Sequence, residues 1–130
     1  NQLPYKNKFD NIEFNFNTSF SVLLKNAEII ILDTPATTLI EACSTNVKVF
    51  VLSGRRIYKS KFLNVIKKRV IWCENEKILI NKIQDYINNG EYKADVNDDS
   101  YRSLYVSNNN HDCTTSKVTE NLLMIIKKEL

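Results

Sequence analysis

The chain has 130 residues, 43% of them hydrophobic and 25% charged, and these proportions suit one compact domain with its own core. The formal charge of +3 is compatible with an anionic ligand but too small to argue for nucleic acid as a partner. No apolar run approaches the roughly 18 residues that a membrane-spanning helix needs, so we expect no transmembrane segment.

The first half of the chain predicts alternating strands and helices. Residues 11–16 alternate Ile12, Phe14 and Phe16 with polar residues, which predicts a short strand. An apolar stripe at helical spacing follows over residues 17–28. Residues 29–32 and 48–52 are continuous apolar runs, as expected of strands buried on both faces of a parallel sheet, and residues 36–44 between them form a short helix.

The second half continues the alternation. A loop at residues 53–56 leads into a helix over residues 57–69 and a short strand over residues 70–72. The clearest helix covers residues 75–90, where Leu79, Ile83, Tyr86 and Ile87 share one face and Gly90 marks the C-terminal end. Residues 101–107 are ambiguous, residues 108–116 read as a loop, and residues 117–130 predict a terminal helix.

Strands that alternate with helices indicate parallel β-α-β units. The sequence therefore predicts the α/β class, with a Rossmann-like parallel sheet and flanking helices. No linker divides residues 1–130, so we expect a single domain. Because the sequence starts without methionine, we expect it to be the C-terminal part of a longer chain.

The widely spaced residues Cys43, Cys73 and Cys113 form no disulfide framework, and no signal peptide is visible, which favours reduced thiols in the cytoplasm. His111 is the single histidine. It lacks neighbours at metal-ligand spacing, so no metal site is predicted, and a nucleophile–base pair of His111 with Cys113 has no support beyond proximity.

The segment between the two apolar strands is the candidate site. Ligands of parallel α/β sheets bind beyond the carboxyl ends of the strands, and the turn Asp33–Thr38 lies at such an end. It leads into a helix N-terminus, where unpaired N–H groups favour phosphate. Thr37 and Thr38 can donate hydroxyl hydrogen bonds to a phosphate, and Glu41 is placed to reach a ribose hydroxyl.

A purely structural interpretation uses the same residues. Thr37 can be the N-cap, Glu41 can pair with Thr38 in a capping box, and Asp33 can close a turn before Pro35. The sequence leaves open whether Asp33 and Glu41 bind a ligand or only cap the turn and the helix.

Residues 23–52, LLKNAEIIILDTPATTLIEACSTNVKVFVL, resemble the C-terminal half of bacterial glycosyltransferases of the GT-B architecture, which have two facing Rossmann-like domains. More narrowly, they are similar to transferases of surface-carbohydrate and capsule biosynthesis and to the CDP-glycerol glycerophosphotransferases. The shared pattern is a helix, an apolar strand, an acid, a hydroxyl-rich turn, a helix and a second strand.

The resemblance implies that the domain holds a nucleotide-activated sugar or a CDP-glycerol-like donor. It implies donor-phosphate contacts at Thr37 and Thr38, and a ribose-side or scaffold role for Asp33, Thr34 and Glu41. It also implies an N-terminal acceptor domain outside this sequence and no further cofactor. The implied location is the cytoplasm, with a peripheral position at the inner face of the membrane. Asn46, Val47 and Lys48 stand where many relatives carry a Gly-Pro pair, so the donor's nucleoside stays open.

Arg55 and Arg56 follow the second buried strand and therefore lie at the same edge of the sheet. Either can offer a bidentate fork to a phosphate, and the alternative is a solvated basic loop. Taken together, the sequence predicts the donor-binding domain of a sugar or polyol-phosphate transferase, inactive by itself. The alternative is a non-catalytic Rossmann-like interaction or regulatory module. With two glycines in the chain, Gly54 and Gly90, a glycine-rich dinucleotide fingerprint is impossible.

Overall fold

A computed structural model describes residues 10–105 of the chain. The described helices are α1 (Phe20–Leu24), α2 (Thr37–Cys43), α3 (Ser60–Arg69), α4 (Glu76–Asn89) and α5 (Ser100–Tyr105), and the strands are β1 (Ile29–Leu32), β2 (Lys48–Leu52) and β3 (Ile71–Cys73). The loop and the terminal helix predicted for residues 108–130, with His111 and Cys113, lie outside the described residues.

The three strands form one parallel sheet in the order β1-β2-β3. Leu32 lies opposite Val51, and Val51 lies opposite Trp72. Helix α2 connects β1 to β2 and α3 connects β2 to β3, so the chain forms two consecutive β-α-β units. The predicted α/β class, with a Rossmann-like parallel sheet and flanking helices, is confirmed.

The central strand β2 packs helices on both of its faces. Val49 and Val51 point to the first face, where they meet Leu39 of α2 and Ile66 of α3 in the main core. Tyr101 of α5 closes this core from outside. The core residues of β2 are fully buried, as its continuously apolar sequence predicted.

The second face of the sheet is covered only in part by the described residues. Phe50 points to this face, and its ring meets the edges of the Tyr86 and Tyr92 rings. Helix α4 packs over β2 and β3. Strand β1 lies beyond this cover, and Ile31 is 53% exposed, so the expectation that β1 is buried on both faces is wrong. Its apolar sequence does not show that it is an edge strand within residues 10–105.

The strand predicted for residues 11–16 is also wrong, because these residues have no regular structure and are exposed. The Asn15 side-chain oxygen accepts hydrogen bonds from the backbone N–H groups of Asn17 (3.2 Å) and Thr18 (3.0 Å). This local hydrogen bonding turns the backbone away from an extended course. The alternating pattern alone could not supply the neighbouring strand that a β-ladder requires.

Helix α4 matches its prediction closely. The Asn75 side chain accepts a hydrogen bond from the N–H of Ile78 (3.0 Å), and Gly90 ends the helix in the left-handed conformation with φ of 67°. Ile87, expected on the inner face, is 69% exposed. The apolar stripe of α4 is wider than the short sheet beneath it.

The loop after α4 is attached to the sheet by the hydroxyl of Tyr92. Its oxygen lies 3.0 Å from the backbone nitrogen of Val49, and 3.0 Å from the carbonyl oxygens of both Val49 and Arg69. The β2–β3 register starts just after these groups, at Phe50 and Ile71, so the hydroxyl satisfies backbone groups where this ladder begins. Burial raises the pKa of Tyr92, which keeps this hydroxyl protonated.

Replacing this hydroxyl tests its contribution to stability. We expect Tyr92→Phe to lower the free energy of unfolding by about 1–3 kcal/mol, because buried backbone groups lose their partner. Tyr86→Phe is the matched control, since the Tyr86 hydroxyl donates to Glu28 Oε1 (2.7 Å) at an exposed position where water replaces it. Urea denaturation of both variants makes the comparison. Equal losses would contradict the role assigned to Tyr92.

Candidate functional site at the carboxyl edge of the sheet

The carboxyl ends of β1 and β2 lie side by side, as the sequence predicted. The parallel register pairs Leu32 with Val51, so the chain leaves both strands at the same edge. After β1 it forms the turn of residues 33–36 and enters α2 at Thr37. After β2 it forms a loop that contains Arg55 and Arg56. The carboxyl edge therefore combines a hydroxyl-rich turn with two arginines.

Helix α2 begins without a side-chain cap. Its N-cap residue is Ala36, whose side chain has no acceptor atom, and no side-chain capping hydrogen bond is formed. The alternative interpretation, in which Thr37 is the N-cap and Thr38 pairs with Glu41 in a capping box, is therefore wrong. No side chain therefore accepts a hydrogen bond from the first N–H groups of α2, which, as at any helix start, have no partner within the helix.

Five predicted site side chains make no hydrogen bond or ion pair with any residue in the range 10–105; they are Asp33, Thr34, Thr37, Thr38 and Glu41. Thr34 and Thr38 are half-buried, and the other three are exposed. The expected turn closure by Asp33 is therefore not formed within the described residues. These polar groups are left to interact with water or with a ligand.

The loop after β2 is fixed at its base by Ser53, a residue that the sequence interpretation overlooked. Ser53 is buried, and its N–H and hydroxyl both donate to the carbonyl oxygen of Cys73 (2.9 and 3.3 Å). Gly54 then adopts φ of 61°, which a side chain would strain. The only sequence signal for this fixed loop base is a small polar residue, Ser53, before a glycine.

Arg55 and Arg56 are exposed, and neither forms an ion pair within residues 10–105. Asp33 and Glu41 do not neutralise them in that range either. Both guanidinium groups therefore keep their full donor capacity at the carboxyl edge, which is a chemistry suited to phosphate oxygens.

A large cavity lies at the opposite, amino edge of the sheet. This groove of about 830 Å³ runs between α1 and the second half of α2, with an apolar floor that includes Leu24, Ala27, Ile40 and Val47. Glu41 lines the same groove, so its side chain faces a region that the sequence interpretation did not consider. No sequence signal marked this groove, because it forms between elements that are short and weakly patterned.

The rim of this groove carries a polar cluster. Glu28 Oε1 accepts the Tyr86 hydroxyl at 2.7 Å and lies 3.6 Å from Lys48 Nζ. The Tyr86 hydrogen bond and the Lys48 charge lower the pKa of Glu28, so this carboxylate stays ionised and is a poor general base. The cluster ties the start of β1 and β2 to α4.

The described cysteines are not nucleophiles at neutral pH. Cys43 and Cys73 are both buried free thiols. Burial raises the pKa of Cys43 to about 11 and raises that of Cys73 as well. Both therefore remain protonated. No group of acidic, histidine or cysteine side chains in residues 10–105 is arranged to hold a metal ion.

Comparison of the chain with protein-family models, with curated proteins and with solved structures finds no match in any of the three. The resemblance to GT-B transferases therefore stays a prediction, and the proposals that follow are supported by residue geometry and chemistry.

Proposed function

We propose that this chain is the donor-binding domain of a transferase that takes a sugar or a polyol phosphate from a nucleotide donor. The observation that carries the proposal is the carboxyl edge, where Arg55 and Arg56, without ion-pair partners in residues 10–105, lie on the loop after β2 beside the turn after β1. That turn adds hydroxyls, at Thr37 and Thr38, that are free of intramolecular hydrogen bonds in the same range.

Each of these groups suits a diphosphate. The threonine hydroxyls donate to non-bridging phosphate oxygens, and an arginine fork neutralises the charge that develops on the leaving phosphate. Asp33 and Thr34 line the turn as scaffold or as ribose-side contacts. Catalysis then consists of holding the donor in place and stabilising its leaving group. A catalytic base comes from an acceptor domain facing this edge, as in the two-domain enzymes that the sequence resembles.

The location that follows is the cytoplasm, with a peripheral position at the inner face of the membrane, where surface polysaccharides are assembled. None of the helices in residues 10–105 is long and apolar enough to cross a bilayer. A peripheral position therefore requires a surface that adheres to lipid.

The double variant Thr37→Ala/Thr38→Ala tests the donor site. We expect it to bind the donor about 100-fold more weakly, since two hydrogen bonds to a charged group together contribute about 3 kcal/mol or more. The melting temperature should stay nearly unchanged, because neither hydroxyl has a partner within residues 10–105. Isothermal titration with CDP-glycerol and with UDP-sugars provides the measurement.

Thr45→Ala is the matched control for removing a threonine hydroxyl. Its Oγ1 donates to the carbonyl oxygen of Ala42 (2.9 Å) at the amino edge, so this variant should lose some stability and keep its affinity. A double variant that binds every nucleotide as the wild type does would refute the phosphate role of Thr37 and Thr38.

The apolar groove between α1 and α2 favours a second candidate, a non-catalytic interaction module. A cavity of about 830 Å³ with an apolar floor is a common feature of sites that accept small molecules or protein side chains. The nucleotide titration described above also distinguishes the two candidates, because an interaction module is not expected to bind nucleotides at the carboxyl edge.

A further inference from the structure

The most exposed large apolar side chain of the described residues is Ile57, at 99%. It lies on the loop between β2 and α3. Residues 54–61, which are the end of this loop and the first two residues of α3, we call the basic loop. Single exposed apolar residues are ordinary on protein surfaces. Ile57 differs in its neighbours, because the exposed cations Arg55, Arg56, Lys59 and Lys61 surround it in the sequence.

The basic loop starts a larger region without acids. From Gly54 to Arg69 the chain has seven cations and no Asp or Glu, although the whole chain carries a formal charge of only +3. Six of the seven are exposed, and Arg69 is buried. None of the six forms an ion pair with another residue in the range 10–105. Residues 54–69 therefore carry a local excess of positive charge, and no acidic side chain of residues 10–105 pairs with their exposed cations.

The tip of the basic loop is held between two anchors. On one side Ser53 donates hydrogen bonds to the carbonyl oxygen of Cys73, and Gly54 follows with φ of 61°. On the other side the Tyr58 ring packs edge-on against Trp72, with ring centroids 4.9 Å apart, and stacks on Phe62. Residues 55–57 lie between these two anchors and are all exposed, Ile57 almost completely.

We propose that the basic loop binds the surface of anionic phospholipid bilayers. Ile57 enters the headgroup region, and Lys59 and Lys61, which have no part in the proposed donor site, meet the negative charges of the lipid headgroups. Burial of an isoleucine side chain raises the affinity for the bilayer about ten-fold or more. Each cation near an anionic surface raises this affinity about five-fold. Ile57 and the cations beside it therefore combine the two contributions on which interfacial binding depends, which are apolar burial and attraction to anionic lipids. The inference deepens the peripheral location proposed above and does not depend on nucleotide binding.

Vesicle flotation of the 130-residue chain tests the inference, with phosphatidylcholine vesicles that contain or lack phosphatidylserine. We expect the wild type to float with phosphatidylserine-containing vesicles and to lose binding as salt is raised, because exposed charges are screened. Ile57→Ser should weaken binding about ten-fold. Lys59→Glu/Lys61→Glu should weaken it by more than ten-fold.

Ile87→Ser is the control, since Ile87 is also exposed but lies on α4. It should bind vesicles as the wild type does. Urea denaturation should show all of these variants to be folded, because the replaced side chains are exposed.

Three results would overturn the inference: equal binding to both kinds of vesicle, equal effects of Ile57→Ser and Ile87→Ser, or a duplex oligonucleotide bound as tightly as the anionic vesicles. The Thr37→Ala/Thr38→Ala variant, assayed by the same flotation, should bind lipid normally. Failure of lipid binding and failure of donor binding are thereby told apart.

Discussion

Arg69→Ala is expected to lower the free energy of unfolding by about 3–5 kcal/mol, a large share of the stability of a domain this size. Arg69 is 0% exposed, and its Nη2 donates to the carbonyl oxygens of Thr45 (2.6 Å) and Val47 (2.9 Å). These carbonyls belong to the segment between α2 and β2. Truncation leaves both acceptors without a donor and opens a cavity beneath them.

The rest of this guanidinium group is unsatisfied within the described residues. Arg69 Nε and Nη1 are buried and have no hydrogen-bond partner. A buried positive charge with incomplete hydrogen bonding is itself costly. Arg69→Met fills most of the volume and removes this charge, so its loss should be smaller, about 1–2 kcal/mol.

Urea denaturation followed by circular dichroism measures both losses, with Arg102→Ala as the control. Arg102 forms an exposed ion pair with Asp99 (3.0 Å), and such pairs contribute about 1 kcal/mol or less. If the Arg69→Ala variant were as stable as the Arg102→Ala variant, Arg69 would be shown not to hold the segment between α2 and β2.

Phe50→Ala should cause a loss of similar size, about 3–5 kcal/mol. Phe50 is fully buried in the central strand, and its ring centroid lies 6.2 Å from that of Tyr86 and 5.8 Å from that of Tyr92. It is the residue through which β2 contacts both α4 and the loop that follows. Removing the ring leaves a cavity that this thinly covered face cannot close easily.

Phe50→Leu separates ring contacts from volume. Leucine keeps much of the apolar volume, so we expect a loss of about 1–1.5 kcal/mol from Phe50→Leu. Chemical denaturation of both variants gives the comparison. If Phe50→Ala lowered the free energy of unfolding by less than Phe50→Leu does, the packing of α4 on Phe50 would be shown to contribute little to the stability of the sheet.

Much of the fold could be predicted because its signals are local. Strands β1 and β2 are short apolar runs, and both were placed at Ile29–Leu32 and Lys48–Leu52 as the structure has them. Helix α4 was bounded by Asn75 and Gly90, whose capping roles depend on residues three or four positions away. Such local preferences need no knowledge of distant contacts.

The failures share a different cause. The pattern of Ile12, Phe14 and Phe16 suits a strand, but no local rule reveals whether a neighbouring strand exists to pair with it. The exposure of Ile31 depends on where α4 lies. Each of these outcomes depends on which elements become neighbours in space.

The candidate site divides in the same way. The position of Asp33 to Thr38 at the carboxyl edge could be predicted, because the strand before it is apolar and the crossover is parallel. The state of the side chains could not. Ala36 became the N-cap in place of Thr37, and Glu41 was found at the wall of the amino-edge groove.

The sequence by itself determined the parallel α/β class, the placement of β1, β2 and α4, and the sheet edge at which the turn Asp33–Thr38 lies. These follow from short-range periodicity and from the parallel strand direction that alternating strands and helices indicate. Only the tertiary structure decided that β1 is an edge strand in residues 10–105, that the Tyr92 hydroxyl bonds backbone groups where the β2–β3 ladder begins, and that Arg69 is a buried donor. The last two of these features join groups that lie 43 and 22 residues apart in the sequence. Contacts over such separations are set by the packing of whole elements, which no local pattern records.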